Sequence, residues 1–358
     1  MSAKSRLELI KQVGEEIITE AELKQLLEEK KNPIAYDGFE PSGTNIHIAQ
    51  GLLRSINVNK MTKAGCKFKF LVADWHAWAN NKMDGNLEHI QKVGKYMIEV
   101  WKACDMDLKN VEFIWSNELM KDSKYLKTVM QVARNSTVKR IIRCSQIMGR
   151  SENDALQASQ IFYPCMQCAD IFYLNADITQ LGMDQRKVNV LAREIGPKLG
   201  FWKPVVVSHR MLMGLSQPPK TEKTVERAIK MKMSKSNPDN AIFMTDDDDE
   251  IKRKISKAYC PEGVVEENPV LEYCKYIIFE KFKTLKIERP KKFGGNLEFS
   301  SYDDLEKKFS QKKLHPMDLK QGTAEYLNKL VEPVRIKLEK NKDAQKLAQE
   351  IKGFEVTR

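Results

Sequence analysis

The stretch KMSKSNPDN, Lys232 to Asn240, sets two lysines and two serines within five residues before Pro238 discourages a helix from running on. Lys232, Ser234 and Lys235 together offer two cations and a hydroxyl suited to phosphate, although such a loop taken alone is usually only solvated. A second stretch, YDGFEPSGTNIHIAQG, Tyr36 to Gly51, runs from an apolar strand through a Gly, Pro and Ser turn containing Gly38 and Ser42 into a helix expected from about Asn45. Helix starts carry unpaired N–H groups and the positive end of the macrodipole, so an anion gains hydrogen bonds there; His47, in the expected first turn, adds a donor. Gly38 to Gly43 approaches a P-loop, but Thr44 stands in the place of the required lysine, and this is no Walker site. A third stretch, YPCMQCAD, places Tyr163, Gln167 and Asp170 at spacings that align them on one helical face. An aspartate held near a buried tyrosine needs a donor, and a substrate phenol is one. Taken by spacing alone, the preferred reading is a helix with an exposed acid and a capped glutamine.

The elements that must position these residues alternate in the first part of the chain. A helix is expected over about Arg6 to Lys30, a strand at Ile34 to Phe39, a helix from Asn45 to Ala64 and a strand at Phe68 to Ala73. A helix at Leu87 to Ala103, a strand at Val111 to Trp115, several helices to Leu199 and a buried strand at Val205 to Val207 complete a βαβ rhythm. That pattern predicts an α/β fold with a Rossmann-like, doubly wound parallel sheet. After residue 240 the spacing turns helical, in Ile251 to Ala258, Val270 to Phe279 and Pro316 to Leu338, which predicts an all-α C-terminal domain over residues 241–358. The acidic run Asp246 to Asp249 reads as a helix start complementing the macrodipole, in preference to a metal site.

Composition bounds the partners. The 358 residues suit two packed units, and 60 basic against 49 acidic residues leave a net charge of +11, which favours an anionic partner such as RNA without proving one. No window reaches the length of a membrane span, and the N-terminus has no signal-like apolar run, so a cytoplasmic protein with no membrane association is expected. Seven cysteines without a secretion signal argue for reduced thiols, and the Cys165 and Cys168 pair lacks the further ligands of a zinc site.

The strand, the turn, HIAQ at His47 to Gln50 and the later KMSKS together resemble the class I aminoacyl-tRNA synthetases. The resemblance implies a Rossmann sheet with a helical insertion, here about residues 115–150, and two motifs that flank ATP. The KMSKS loop, 232–236, then supplies the lysine that the first turn lacks. The chain departs from that family's first motif at Ala49 and Gln50, where a glycine and a second histidine stand; Gln50 replaces what would be a second charged contact to the phosphates. AYDGFEPSG, YPCMQCAD, GMDQRK and KFGGN, in this order, are similar to the tyrosine-specific branch of archaeal and eukaryotic type across nearly the whole chain.

Carried over residue by residue, the resemblance places Tyr36 and Asp170 on the substrate hydroxyl and Tyr163, Gln167 and Gln185 on its ammonium, with His76 lining the pocket. Gly38, Ser42, His47, Lys232, Ser234 and Lys235 fall to ATP, and His47, Lys232 and Lys235 to catalysis. It implies activation of L-tyrosine with ATP, magnesium travelling with the nucleotide and held by no protein cluster, and transfer to tRNA(Tyr). Phe293, His315 and Asp318 would meet the anticodon, making residues 241–358 an anticodon-binding domain, and Arg186 and Lys320 the acceptor stem. By residue type alone, Phe293 and His315 fit a core ring and a helix cap. A homodimer joined around Leu126 to Ile147 is also implied. Three other readings remain: a tryptophan-specific relative, a catalytically silent RNA-binding protein on the same scaffold, and a general nucleotidyltransferase.

Overall fold

The computed structural model describes residues 1–149, 155–219, 227, 231–233 and 237–356. The N-terminal stretch forms two helices with a strand between them, where one helix is expected from sequence. Helix α1, Ala3–Lys11, ends before strand β1, Gly14–Ile18, and α2 spans Glu20–Glu29. Thr19 explains the restart: its side chain accepts from Glu22 N while the Glu22 carboxylate accepts from Thr19 N, a reciprocal capping box. Arg6 secures this corner by donating to the carbonyls of Leu27, Lys30, Lys31 and Ala64, placing its charge at the C-terminal ends of two helices.

Strand β2, Ile34–Phe39, is followed by a wide π-type turn, Ala49–Leu53, that leads into α3, Arg54–Lys63. The helix therefore begins after His47 instead of near Asn45. The reason is tertiary: Ile48 N donates to Ile242 O and Met244 N to Ile46 O, so the backbone around His47 is extended and pairs antiparallel with Phe243. That pairing draws the first motif to the segment that follows the KMSKS loop.

Strand β3, Lys67–Val72, α4, Asp74–Ala79, α5, Leu87–Ala103, and β4, Val111–Trp115, follow. The insertion contributes α6, Ser116–Leu119, α7, Ser123–Arg134, and α8, Val138–Ile142; then come α9, Ala158–Tyr173, the two-residue strand β5, Ile178–Thr179, α10, Arg186–Ile195, and β6, Val205–His209. The sheet order is β1-β6-β5-β2-β3-β4, parallel except for β1, which runs antiparallel along β6 at the edge. Strand β5 is too short to show a strand period, and sequence reading passes over it. Its position is nevertheless decisive, because β2 lies between β3 and β5, where the winding changes direction, and ligands of doubly wound sheets bind at the carboxyl ends of such strands.

Two apolar clusters flank the site. One, with Trp101 packed against Phe39 and Phe70, extends from Ile10 through the C-terminal helices to Ile351. The other gathers Tyr36, Tyr125, Tyr163 and Val188 from β2, the insertion, α9 and α10. Beyond residue 240 the chain is helical, with long packed helices at Asp248–Lys257 and Pro316–Lys340. A small antiparallel ribbon, Leu285–Ile287 with Leu297–Phe299, is added to what the spacing predicts. The acidic run does start a helix, since the Asp247 side chain accepts from Glu250 N.

Candidate active site

Helix α9 turns Tyr163, Gln167 and Asp170 inward, and all three are buried. Asp170 lies at the floor beside Tyr36, whose hydroxyl is pushed well above the usual phenol range by burial, then by the charges of Asp170 and Asp37. Gly38 permits this packing, since a Cβ there would stand 3.1 Å from Tyr36 Oη. Tyr125 from the insertion donates to Asp170 Oδ1 at 2.8 Å. His76 Nε2 approaches Asp170 Oδ2 to 3.0 Å, but out of line for a hydrogen bond, so Oδ2 is buried without a hydrogen-bond partner. Tyr163 Oη donates to Glu40 Oε2 at 2.9 Å, and Gln167 Nε2 donates to Gln185 Oε1 at 3.0 Å. Burial, then the charge of Glu40, holds the Tyr163 phenol protonated. The resemblance-based set of Tyr36, His76, Tyr163, Gln167, Asp170 and Gln185 thus converges, and sequence reading omits Glu40 and Tyr125. The EPSG turn holds Glu40 in plain view, but nothing local marks Tyr125, which is 45 residues from its partner.

A second group of the sequence-selected residues gathers around His47 and Lys232. His47 Nδ1 accepts from Gln50 N at 3.3 Å. Ser42 lies in the turn between β2 and His47. Lys232 Nζ pairs with Asp184 Oδ2 at 3.1 Å, which joins the KMSKS segment to the GMDQRK segment. Ser234 and Lys235 lie outside the described residues. Arg54 Nε meets the buried carboxylate of Asp37 at 2.9 Å and stacks over Phe70 and Trp101. Burial raises the Asp37 carboxyl to about 6, against the opposing pull of Arg54. Gln50 does not replace a second histidine in any visible polar contact: its carbonyl accepts from Trp101 Nε1, and its side-chain oxygen is buried without a partner. Among the described residues no group of three or more His, Cys, Asp or Glu is placed to hold a metal.

The remaining sequence-selected residues lie apart. Arg186 is committed to Glu16 at 2.8 Å, and Lys320 donates to Ser256 O at 2.9 Å. His315 caps the helix Pro316–Lys340 by accepting from Met317 N, and Asp318 lies 3.8 Å from Arg289. Phe293 is 59% exposed, with Lys292 over its ring, so it is no core residue. A cavity of about 190 Å³ bounded by Lys11, Glu15, Arg210 and Tyr276 shares no residue with the site.

The profile of the family described as tRNA synthetases class I (W and Y) matches residues 28–332. A protein of Arabidopsis thaliana named tyrosine–tRNA ligase 1, cytoplasmic, is 51% identical over 356 residues, covering 99% of this chain and 89% of that one. The solved tyrosyl-tRNA synthetase of Pyrococcus horikoshii complexed with L-tyrosine is 38% identical, with a TM-score of 0.90 and coverage of 98% and 100%. The Leishmania major tyrosyl-tRNA synthetase in complex with tyrosinol is 42% identical with a TM-score of 0.88; the match covers 98% of this chain and 52% of that one, so the chain spans about half of that protein.

Electrostatics around His209, at the end of β6, yield a pH prediction. Burial, then the nearby charge of Arg54, lowers its imidazole to about 4, and Gln180 Nε2 lies 2.6 Å from its Nδ1. A folded value below the unfolded one means that the unfolded chain takes up the proton first, so stability is lost as pH falls from about 6.5 towards 4. His209→Gln should lose less stability than the parent across that window, measured by urea unfolding at a series of pH values; equal losses would contradict the assignment.

Proposed function

The chain belongs to the class I tRNA synthetases of the tryptophan and tyrosine branch, and from that premise we propose that it couples L-tyrosine to ATP and transfers the tyrosyl group to tRNA(Tyr). It activates the amino acid by attack of the tyrosine carboxylate on the α-phosphate, with release of pyrophosphate. The terminal adenosine of the tRNA then takes the acyl group. No covalent enzyme intermediate is needed.

One observation carries the choice of tyrosine: Asp170 is a fully buried carboxylate with one oxygen lacking a hydrogen-bond partner, next to the hydroxyl of Tyr36. A substrate phenol satisfies that oxygen, phenylalanine leaves it unpaired, and an indole offers an N–H at a different place. Discrimination is steep because the wrong substrate leaves a buried polar group unpaired. Glu40, together with the Gln167 and Gln185 pair, supplies acceptors suited to the substrate ammonium near Tyr163. Polar residues for both ends of the amino acid support an enzyme over a silent scaffold.

For ATP, His47 and Lys232 approach from two segments tied together by the pairing of His47 with Phe243. Lys232 exchanges Asp184 for phosphate oxygens, and Ser234 and Lys235 add the remaining donors of the loop. Gly38 and Ser42 let the nucleotide approach the turn. Charge grows on the departing pyrophosphate, so donors that close in late lower the barrier selectively. Magnesium travels on the phosphate oxygens of the nucleotide. The catalytic part is residues 1–240, and residues 241–358 meet the anticodon through Phe293, His315 and Asp318, with single-stranded bases stacking on exposed rings. Arg186 and Lys320 serve the acceptor stem only after leaving their present partners. The enzyme works in the cytosol, and among the described residues no helix is long and apolar enough to cross a membrane.

A homodimer explains the outer side of the insertion, where Leu126, Met130 and Val138 are 42%, 57% and 62% exposed. Light scattering should give twice the chain mass for the parent and the single mass for Met130→Glu; a parent of single mass removes this part of the proposal.

Tyrosine-dependent exchange of labelled pyrophosphate into ATP tests the central reaction. The parent should exchange with tyrosine and not with tryptophan. Lys232→Ala and Lys235→Ala should each lower kcat by about two orders of magnitude, the scale of losing a transition-state donor. Asp170→Ala should abolish tyrosine selectivity. Exchange indifferent to tyrosine would end the proposal. Phe293→Ala should leave exchange intact while raising the KM for tRNA in aminoacylation, and an unchanged KM would remove Phe293 from the RNA surface.

A further inference from the structure

We propose that Tyr125 is a positioning residue that decides which oxygen of Asp170 meets the substrate hydroxyl, an inference that rests on the tyrosine-activating reading above. Rotation about the last bond of an aspartate is soft, so a buried carboxylate with several donors nearby can turn to satisfy itself. Asp170 has such donors in Tyr36 and His76. Its Oδ1 is nevertheless held by Tyr125 Oη at 2.8 Å, and its Oδ2 is left without a hydrogen bond. A phenylalanine at position 125 would fill the same apolar space, so the hydroxyl contributes something that packing does not require.

The donor is itself fixed. Tyr125, fully buried, packs edge-to-face on the Tyr173 ring with centroids 5.4 Å apart, a contact separate from the Tyr173 hydroxyl, which donates to Asp122 Oδ2 at 2.7 Å. Asp122 caps α7, and the inner face of α7, with Thr128, Val129 and Val132, packs along α9, which carries Asp170. Burial, followed by the charge of Asp170, keeps the Tyr125 phenol protonated, so it acts only as a donor to the carboxylate. The insertion thereby reaches into the catalytic half and holds one oxygen, so that the other stays unpaired until a phenol arrives. Selectivity against phenylalanine depends on that unpaired state, because a carboxylate already satisfied by Tyr36 or His76 would exact little penalty from a substrate without a hydroxyl.

The test uses the full chain with Tyr125→Phe, and with Tyr173→Phe as a control that removes a hydroxyl between the same two helices without touching Asp170. In pyrophosphate exchange, Y125F should lower the ratio of kcat/KM for tyrosine over phenylalanine about tenfold, the scale of one hydrogen bond to a charged group. The change should lie in the KM for tyrosine, with kcat and the KM for ATP within about twofold of the parent, as expected for lost ground-state positioning. Y173F should keep the parent ratio. An unchanged ratio in Y125F overturns the inference while parent exchange still supports the tyrosine reading. Equal losses in both variants, or a Y125F chain that does not fold, overturn it too, since the hydroxyl would then serve the helix pair. Parent protein without tyrosine-dependent exchange overturns the reading beneath it.

Discussion

The structure depends on a carboxylate removed from water. Burying an ionised aspartate is costly unless donors surround it, and Asp170 has Tyr125, Tyr36 and His76 around it. Those three come from the insertion, from β2 and from α4, so the floor of the site exists only when the sheet, the insertion and α9 have packed together. The apolar cluster that includes Tyr36, Tyr125, Tyr163 and Val188 holds that arrangement. The groups that make burial tolerable also determine which oxygen of Asp170 is left without a hydrogen bond.

The same economy governs the region around Lys232 and Arg54. Lys232 and Asp184, and Arg54 and Asp37, pair charges that would otherwise stand alone near the carboxyl ends of β2 and β5. The hydrogen bonds of Ile48 to Ile242 and of Met244 to Ile46 hold the His47 segment against the one that follows residue 240.

Legibility of the chain differed by element for physical reasons. Strand β2, helix α5 and strand β4 were read with bounds that match the structure, because each shows a clear hydrophobic pattern with turn residues at its ends. The first helix was read as continuous across Gly14 to Ile18 because Glu15 and Glu16 interrupt the apolar pattern of an edge strand, and only the pairing with β6 makes it one. Strand β5 has two residues, too few for any period to show, yet it places Thr179 and Gln180 beside β2 at the point where the winding reverses. In the site, Tyr163, Gln167 and Asp170 were legible because helical spacing is local, whereas Tyr125, Glu40 and Asp184 gained their roles from partners elsewhere in the chain.

By itself the sequence determined the chemistry available: lysines and a histidine in two motifs, an acid, a glutamine and a tyrosine on one helical face, and a helical C-terminal part after an α/β half. Local spacing encodes these because side-chain periodicity and turn chemistry act over a few residues. Only the tertiary structure decided that His47 precedes its helix, that Lys232 is held by Asp184, and that Tyr125 leaves one oxygen of Asp170 unpaired. Those are contacts between residues far apart in the chain, fixed by packing and strand pairing.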